Sequence, residues 1–227
     1  MERVARTSIV DVVVARLRDQ IHNGNWPVGT KVPTEAKLVE ALGVSRPSVR
    51  EAVRALVQVG LLESRQGDGT YVVADDEAAV ALQQAVDAAD DGEVLVVRRA
   101  LDVLAAQQAA RHRTRADVAA LRASLVARRA AIADSNMAAF IHHDIAFHVG
   151  VARAAHNGLL LMLYKSFENS MRDSILQLNC IAEIGGLHPE FHEVLLVAVE
   201  RGDHRGAARA AIGVLDDHER LLYAVGS

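Results

Sequence analysis

Residues 43–50, Gly-Val-Ser-Arg-Pro-Ser-Val-Arg, constrain this chain more than any other stretch. They spell a tight turn running into a helix start. Ser45 is placed to cap that helix, and Pro47 falls in its first turn, where a missing N–H costs nothing. Arg46, Ser48 and Arg50 lie on the first two turns, free to point outward. Val49, Val53, Leu56 and Val57 recur at helical spacing and would face inward. A short helix, a turn and a second helix with Arg and Ser at its amino end is the layout of a helix-turn-helix reader. Arginine suits that place because its planar fork matches both phosphate oxygens and the guanine edge. The alternative is an ordinary charged helix start.

The flanks favour the reader. Residues 8–23 predict an amphipathic helix, with Ile9, Val12, Val13, Leu17 and Ile21 on one side and Arg16, Arg18 and Asp19 on the other. Trp26-Pro27-Val28-Gly29-Thr30 breaks it. A second helix opens at Pro33-Thr34-Glu35, with Thr34 as cap, and runs to about Leu42. After the third helix, residues 60–64 and 70–73 read as two strands. Gln66-Gly67-Asp68-Gly69 between them suits a hairpin tip, the wing of a winged helix-turn-helix.

The segments Gly29-Thr30-Lys31-Val32-Pro33-Thr34-Glu35, Leu42 to Leu56, Gly60-Leu61-Leu62 and Gly69-Thr70-Tyr71-Val72 together resemble the GntR family of bacterial transcription regulators. The resemblance covers nearly all of residues 8–73. It implies Arg46 and Arg50 as base or phosphate contacts, Ser45 and Ser48 as phosphate holders, and Gln66 and Gly67 as minor-groove contacts from the wing. In one place the chain departs from the family. Ala36 follows Glu35 where relatives carry Arg; Lys37 comes next and can supply a phosphate contact, but not a bidentate base contact. An operator of different sequence is therefore open to it.

The net charge of −4 alone argues against a nucleic-acid binder. Residues 1–73, however, carry ten Lys and Arg against eight Asp and Glu, net +2, while the remainder carries fifteen against twenty-one, net −6. DNA affinity would come from a local Arg cluster. One cysteine, Cys180, cannot form an internal disulfide. Asp11 interrupts the early apolar run, which speaks against a signal peptide, and no apolar stretch approaches the ~18 residues of a membrane span. These features predict a cytoplasmic protein.

Residues 1–73 read as the DNA-binding domain, 74–76 as a linker, and 77–227 as a second domain without strand signals. Its periodicity predicts helices over 77–89, 92–112, 114–131, 135–154, 157–179, 187–201 and 203–224. The fold class is thus mainly α: a winged helix-turn-helix followed by an antiparallel bundle of six or seven helices.

In His142-His143-Asp144-Ile145-Ala146-Phe147-His148, Asp144 and His148 lie four apart and project from one helical face. Such a pair can bind one divalent metal or simply hydrogen-bond to each other. Ile145 and Phe147 place it beside apolar neighbours. The segments Asp144 to Leu160, Phe191 to Asp203 and Val97 to Ala106 resemble the effector domain of the FadR subgroup of the same family. That resemblance implies Asp144, His148 and His192 as metal ligands. It places Val214 or Leu215 where a fourth ligand, His, is usual. His218, a turn later, either reaches the metal or is a surface residue. Zinc is the first choice of ion, with nickel and manganese open. The resemblance also turns Arg98 toward the effector cavity, where it would clamp a carboxylate; a salt bridge to Asp102 at i+4 is the alternative. Asn169 and Arg172, on the helix after Asn157-Gly158, could reach the same cavity. His142, His143, His188, His204, His112 and His22 read as solvated.

The expectation is a homodimeric repressor of a metabolic operon, not an enzyme. It would read a palindromic operator and answer to a small carboxylate such as a hydroxy acid, bound through the metal. Two alternatives stay open: a regulator sensing metal alone, and a metal-dependent hydrolase, for which only Glu193 or Glu183 offers a general base.

Overall fold

Ser8 caps the first helix, and its own N–H donates to Asp11, closing a capping box at the start of α1 (Ile9–His22). The computed structural model describes residues 8–176 and 190–225, with 217–225 as backbone alone. Contacts divide the chain into two compact units, Met1–Leu82 and Gln83–Ser227. No helix among the described residues is long and apolar enough to cross a membrane.

In the first unit α1 buries Val13, Leu17 and Ile21 against α3. Ile9 and Val12, expected on the buried side, are exposed. The packed stripe repeats every four residues and is too narrow to take in Val12, and Ile9 sits at the open end. Thr34 caps α2 (Glu35–Leu42), which ends at Gly43 with φ of +67°, the left-handed conformation glycine adopts without strain. Ser45 caps α3 (Arg46–Gln58), with Pro47 in its first turn and Val49, Ala52, Val53 and Leu56 inward. Strands β1 (Leu62–Arg65) and β2 (Gly69–Val72) pair antiparallel, Leu62 facing Val72. They are shifted from the expected 60–64 and 70–73 because Gly60, at φ of +76°, still belongs to the turn after α3. Residues 29–32, which include the end of the expected breaker, pair with β2: Gly29 N–H donates to the Val72 carbonyl at 2.8 Å, Val32 N–H to that of Thr70 at 2.8 Å, and Val72 N–H to that of Thr30 at 3.0 Å.

Helix α4 (Glu77–Asp87) carries the division between the units; Arg18 pairs with Glu77 at 2.8 Å within the first. Then follow α5 (Asp91–His112), α6 (Arg115–Ala133), α7 (Met137–Ala154), α8 (Gly158–Lys165), α9 (Glu168–Leu176), α10 (Glu190–Arg201) and α11 (His204–Val225). Asp90, Thr114, Asn136 and Asn157 cap α5 to α8. The single helix expected over 157–179 is two helices among the described residues. At the break Phe167 N–H bonds to the Tyr164 carbonyl, and the Ser166 hydroxyl donates back to Leu163, drawing the chain out of the α-helical ladder without Gly or Pro.

Ala105, Ala106, Ala109 and Ala110 give α5 a flat buried face, against which α7 and α11 pack. A Cβ on Gly150 would come 2.9 Å from Leu121, so the hydrogen there is what lets α6 and α7 approach. Phe147 of α7 is wholly buried in the core that α5, α6, α7 and α10 share.

Candidate functional site

The first unit presents its polar residues on the surface. Ser45 accepts from the Ser48 N–H at 3.3 Å, and the two hydroxyls share a 2.8 Å bond, leaving two hydroxyls at the amino end of α3, where the helix dipole is positive. Such a helix end attracts phosphate. Arg46 and Arg50 stand one turn apart, both exposed, with Nε atoms 3.7 and 3.9 Å from the two carboxylate oxygens of Glu35. Lys37 is exposed on α2, and Gln66 and Gly67 are exposed at the wing tip, Gly67 at φ of +77°. Asp68 braces that tip: it accepts from Lys31 at 2.9 Å and from the Tyr71 hydroxyl at 2.8 Å, and Arg65 lies over the Tyr71 ring at 4.3 Å. Those bonds hold the Asp68 carboxyl below its usual range. The sequence reading missed Glu35 as the partner of both arginines. Its position directly after the α2 cap, facing the next helix start, was the available signal.

The second unit gathers a buried cluster. Asp144 and His148 project from α7 one turn apart, and His192 arrives from α10. Their donor atoms all lie within 4.8 Å of one another. The imidazoles of His148 and His192 are 5.3 Å apart edge to face, and Phe147 flanks them at 5.7 and 5.6 Å. Asp144 Oδ1 is 3.6 Å from His192 Nε2, and Oδ2 is 3.8 Å from His148 Nε2. Arg128 of α6, which the sequence reading did not single out, donates to Asp144 Oδ1 at 2.5 Å. On the other side Asp102 of α5 lies 3.8 Å from His148 Nδ1, accepts from the Tyr164 hydroxyl, and stands 3.4 Å from Arg98 Nε.

Burial sets the protonation of this cluster. It lowers the His148 pKa despite the opposing pull of Asp144 and Asp102, and it drives His192 well below the usual range with help from Arg128. Burial alone would raise Asp144, but Arg128 and the two histidines outweigh it and hold the carboxyl well below normal. Burial and the Asp102 charge raise the Tyr164 phenol well above normal. Two neutral imidazoles and one carboxylate are the protonation states a divalent ion requires. Both ring nitrogens of His192 are buried without a hydrogen-bond partner, as are Arg98 Nε and Asp102 Oδ2. Buried polar atoms are rarely left so, and an imidazole with no partner fits a metal ligand.

Arg98 is buried against Asp102, the i+4 arrangement its sequence allowed. Asn169 and Arg172 are not brought to the cluster. Phe167, Met171 and Ile175 form the buried face of α9, so positions 169 and 172 turn outward; both are exposed, and Asn169 bonds to Asp87 at 3.3 Å. Glu193 pairs with Arg129 on the surface. The His218 side chain and residues Cys180, Glu183 and His188 lie outside the described residues. At the positions where the resemblance places a fourth ligand, Val214 and Leu215 are buried apolar side chains. Arg128 and Tyr164 carried no spacing signal, since each comes from a helix other than those of the residues it serves.

Comparison with known proteins agrees with this division. Residues 9–72 match the family of bacterial regulatory proteins named gntR, and residues 93–217 match the FCD domain. An Escherichia coli (strain K12) protein, provisionally named as the regulatory protein of the L-lactate dehydrogenase operon, is 30% identical over 90% of this chain and 83% of its own length. The transcriptional regulator LutR of Bacillus subtilis (strain 168) is 30% identical over 89% of this chain and 95% of its own. The solved structure of Streptococcus agalactiae GntR superposes with a TM-score of 0.66 at 23% identity, covering 93% of this chain and 99% of that one, a likeness of fold. The chain belongs to the GntR family, with an FCD domain as its second part, and is a DNA-binding transcription regulator rather than an enzyme.

Proposed function

We propose, from that membership, that the chain is a homodimeric cytoplasmic repressor of a metabolic operon. Its hold on a palindromic operator is governed by a small carboxylate bound beside a divalent ion in the helical domain. The observation that carries this reading is His192, buried with both ring nitrogens unpartnered, its donor atom within 4.8 Å of those of Asp144 and His148. Asp144, His148 and His192 would hold the ion. The mixed nitrogen and oxygen set suits zinc first, then nickel or manganese. The ion would supply a Lewis-acidic anchor for the carboxylate. Arg98, with an unused Nε–H, would supply a charge-assisted hydrogen bond to the same group.

In the first unit Arg46 and Arg50 would read base edges or phosphates, Ser45, Ser48 and Lys37 would hold phosphates, and Gln66 and Gly67 would enter the minor groove. Val96, Val97 and Leu104 form an exposed apolar stripe on α5, a surface that a second copy would cover. Two copies related by a two-fold axis match a palindrome. The carboxylate would act through its differential affinity for the DNA-competent and DNA-incompetent states. The name of the E. coli relative makes L-lactate the first compound to test.

The test is a thermal-shift and gel-shift series with Zn²⁺, L-lactate and other small hydroxy acids, with and without chelator. A melting increase that needs both ion and acid, with release of operator, is expected. Zn²⁺ alone driving the DNA response would establish the metal sensor instead. No response to any ion would remove the metal site.

A further inference from the structure

Arg98, Asp102, Arg128 and Asp144 are the buried charged side chains, apart from the histidines, among the described residues of the helical unit. Two guanidinium groups there face two carboxylates, Arg98 beside Asp102 and Arg128 beside Asp144, so the four are balanced in charge before any ion enters. The function proposed above uses neither Asp102 nor Arg128, and Arg128 is the one hydrogen-bonded to a proposed ion ligand. Its side chain is 3% exposed, its Nε donates to Asp144 Oδ1 at 2.5 Å, and its guanidinium lies 4.8 Å over the Phe140 ring. A hydrogen bond of that length between opposite charges, with an aromatic face behind it, is a built arrangement.

We propose that Arg128 is a resident counter-cation for Asp144, occupying in the ion-free domain the carboxylate charge that a divalent ion would otherwise take up. The proposal rests on the reading of Asp144, His148 and His192 as ion ligands. Two consequences follow from charge alone. An ion adds two positive charges to a balanced, poorly solvated set, so its affinity is held down unless an anion enters with it. Arg128 thereby makes ion and carboxylate depend on each other. It also keeps Asp144 paired when the ion is absent, so the domain does not need the ion to fold.

The full-length chain tests this through Arg128→Met, which keeps the apolar stem and removes the charge, and Arg128→Lys, which keeps the charge. Zn²⁺ affinity is measured by competition with a chromophoric chelator, and melting is followed with and without chelator. Arg128→Met is expected to bind Zn²⁺ at least about tenfold more tightly than wild type. Its melting temperature in chelator is expected to fall by about 10 °C, with Zn²⁺ restoring more of it than wild type gains. Arg128→Lys is expected to stay near wild-type affinity. Equal or weaker Zn²⁺ binding by Arg128→Met overturns the proposal, leaving Arg128 to orient Asp144 or merely to pack. Absence of Zn²⁺ binding by wild type overturns it together with the ligand reading, so the two failures are distinct. Should Arg128→Met not fold in chelator, the double variant Arg128→Met/Asp144→Asn decides. Melting closer to wild type than either single variant supports the pairing, and no recovery overturns it.

Discussion

Arg46 and Arg128 are both arginines held by a carboxylate, in opposite settings. The Arg46 side chain is 65% exposed and 3.7 Å from Glu35, on the surface of the DNA-reading unit. Arg128 is 3% exposed and 2.5 Å from Asp144, inside the helical unit. An exposed pair at that separation is worth little, so Arg46 can leave Glu35 for a phosphate or a guanine at small cost. A buried guanidinium cannot leave its partner without leaving a bare charge behind. Activity and folding are therefore separable in the first unit and joined in the second.

Substitutions that ought to respect this contrast can break it. The largest effect is expected from Phe147→Ala, which removes a wholly buried ring from beside both histidines. It should cost about 3–5 kcal/mol of helical-domain stability, read by chemical denaturation. An unchanged midpoint would mean the cluster is not part of the core. Acid comes next. His148 and His192 have folded pKa values below the unfolded value, so as pH falls below about 6.5 the unfolded chain takes up protons that the folded domain refuses. Stability drops through that window. Asp144, whose folded pKa is also lowered, adds a second loss below about pH 4. Denaturation of chelator-treated protein across pH should show the two stages, and stability flat from pH 7 to 5 would contradict the buried, neutral histidines. The smallest effect sharpens the contrast from the other side. Arg46→Ala and Arg50→Ala should each weaken operator binding by about 1–3 kcal/mol in gel shifts while leaving the melting temperature where it was. A double variant with wild-type DNA affinity would mean that α3 is not the reading helix.

The same contrast explains what could be read from the sequence. Ser45, Arg46, Ser48 and Arg50 lie within six residues, on a turn and cap whose chemistry is local, so the order of letters carries their placement. Asp144 and His148 were legible for the same reason, being one helical turn apart. His192 lies forty-four residues beyond His148 and came only through family resemblance. Arg128 was silent, because its pairing with Asp144 depends on how α6 packs against α7 and leaves no spacing to recognise. Asn169 and Arg172 were misplaced because the break at Ser166 and Phe167 is made by a serine back-bond rather than by Gly or Pro. The third, edge segment of the wing sheet was hidden by Pro27 and Gly29, residues that mark turns.

The wing carries a consequence for the speed and cost of docking. Lys31 and Tyr71 converge on Asp68, Arg65 covers the Tyr71 ring, and a Cβ on Gly69 would meet Lys31 at 2.4 Å, so the hairpin is clasped before any DNA arrives. Gln66 and Gly67 are thereby carried on a preorganised tip whose conformational entropy is surrendered during folding rather than at the encounter. With Gln66 and Gly67 in the minor groove as proposed, a wing built this way would act as a rigid gauge of groove width, favouring sequences whose minor groove already has the matching shape and reporting DNA geometry rather than base identity.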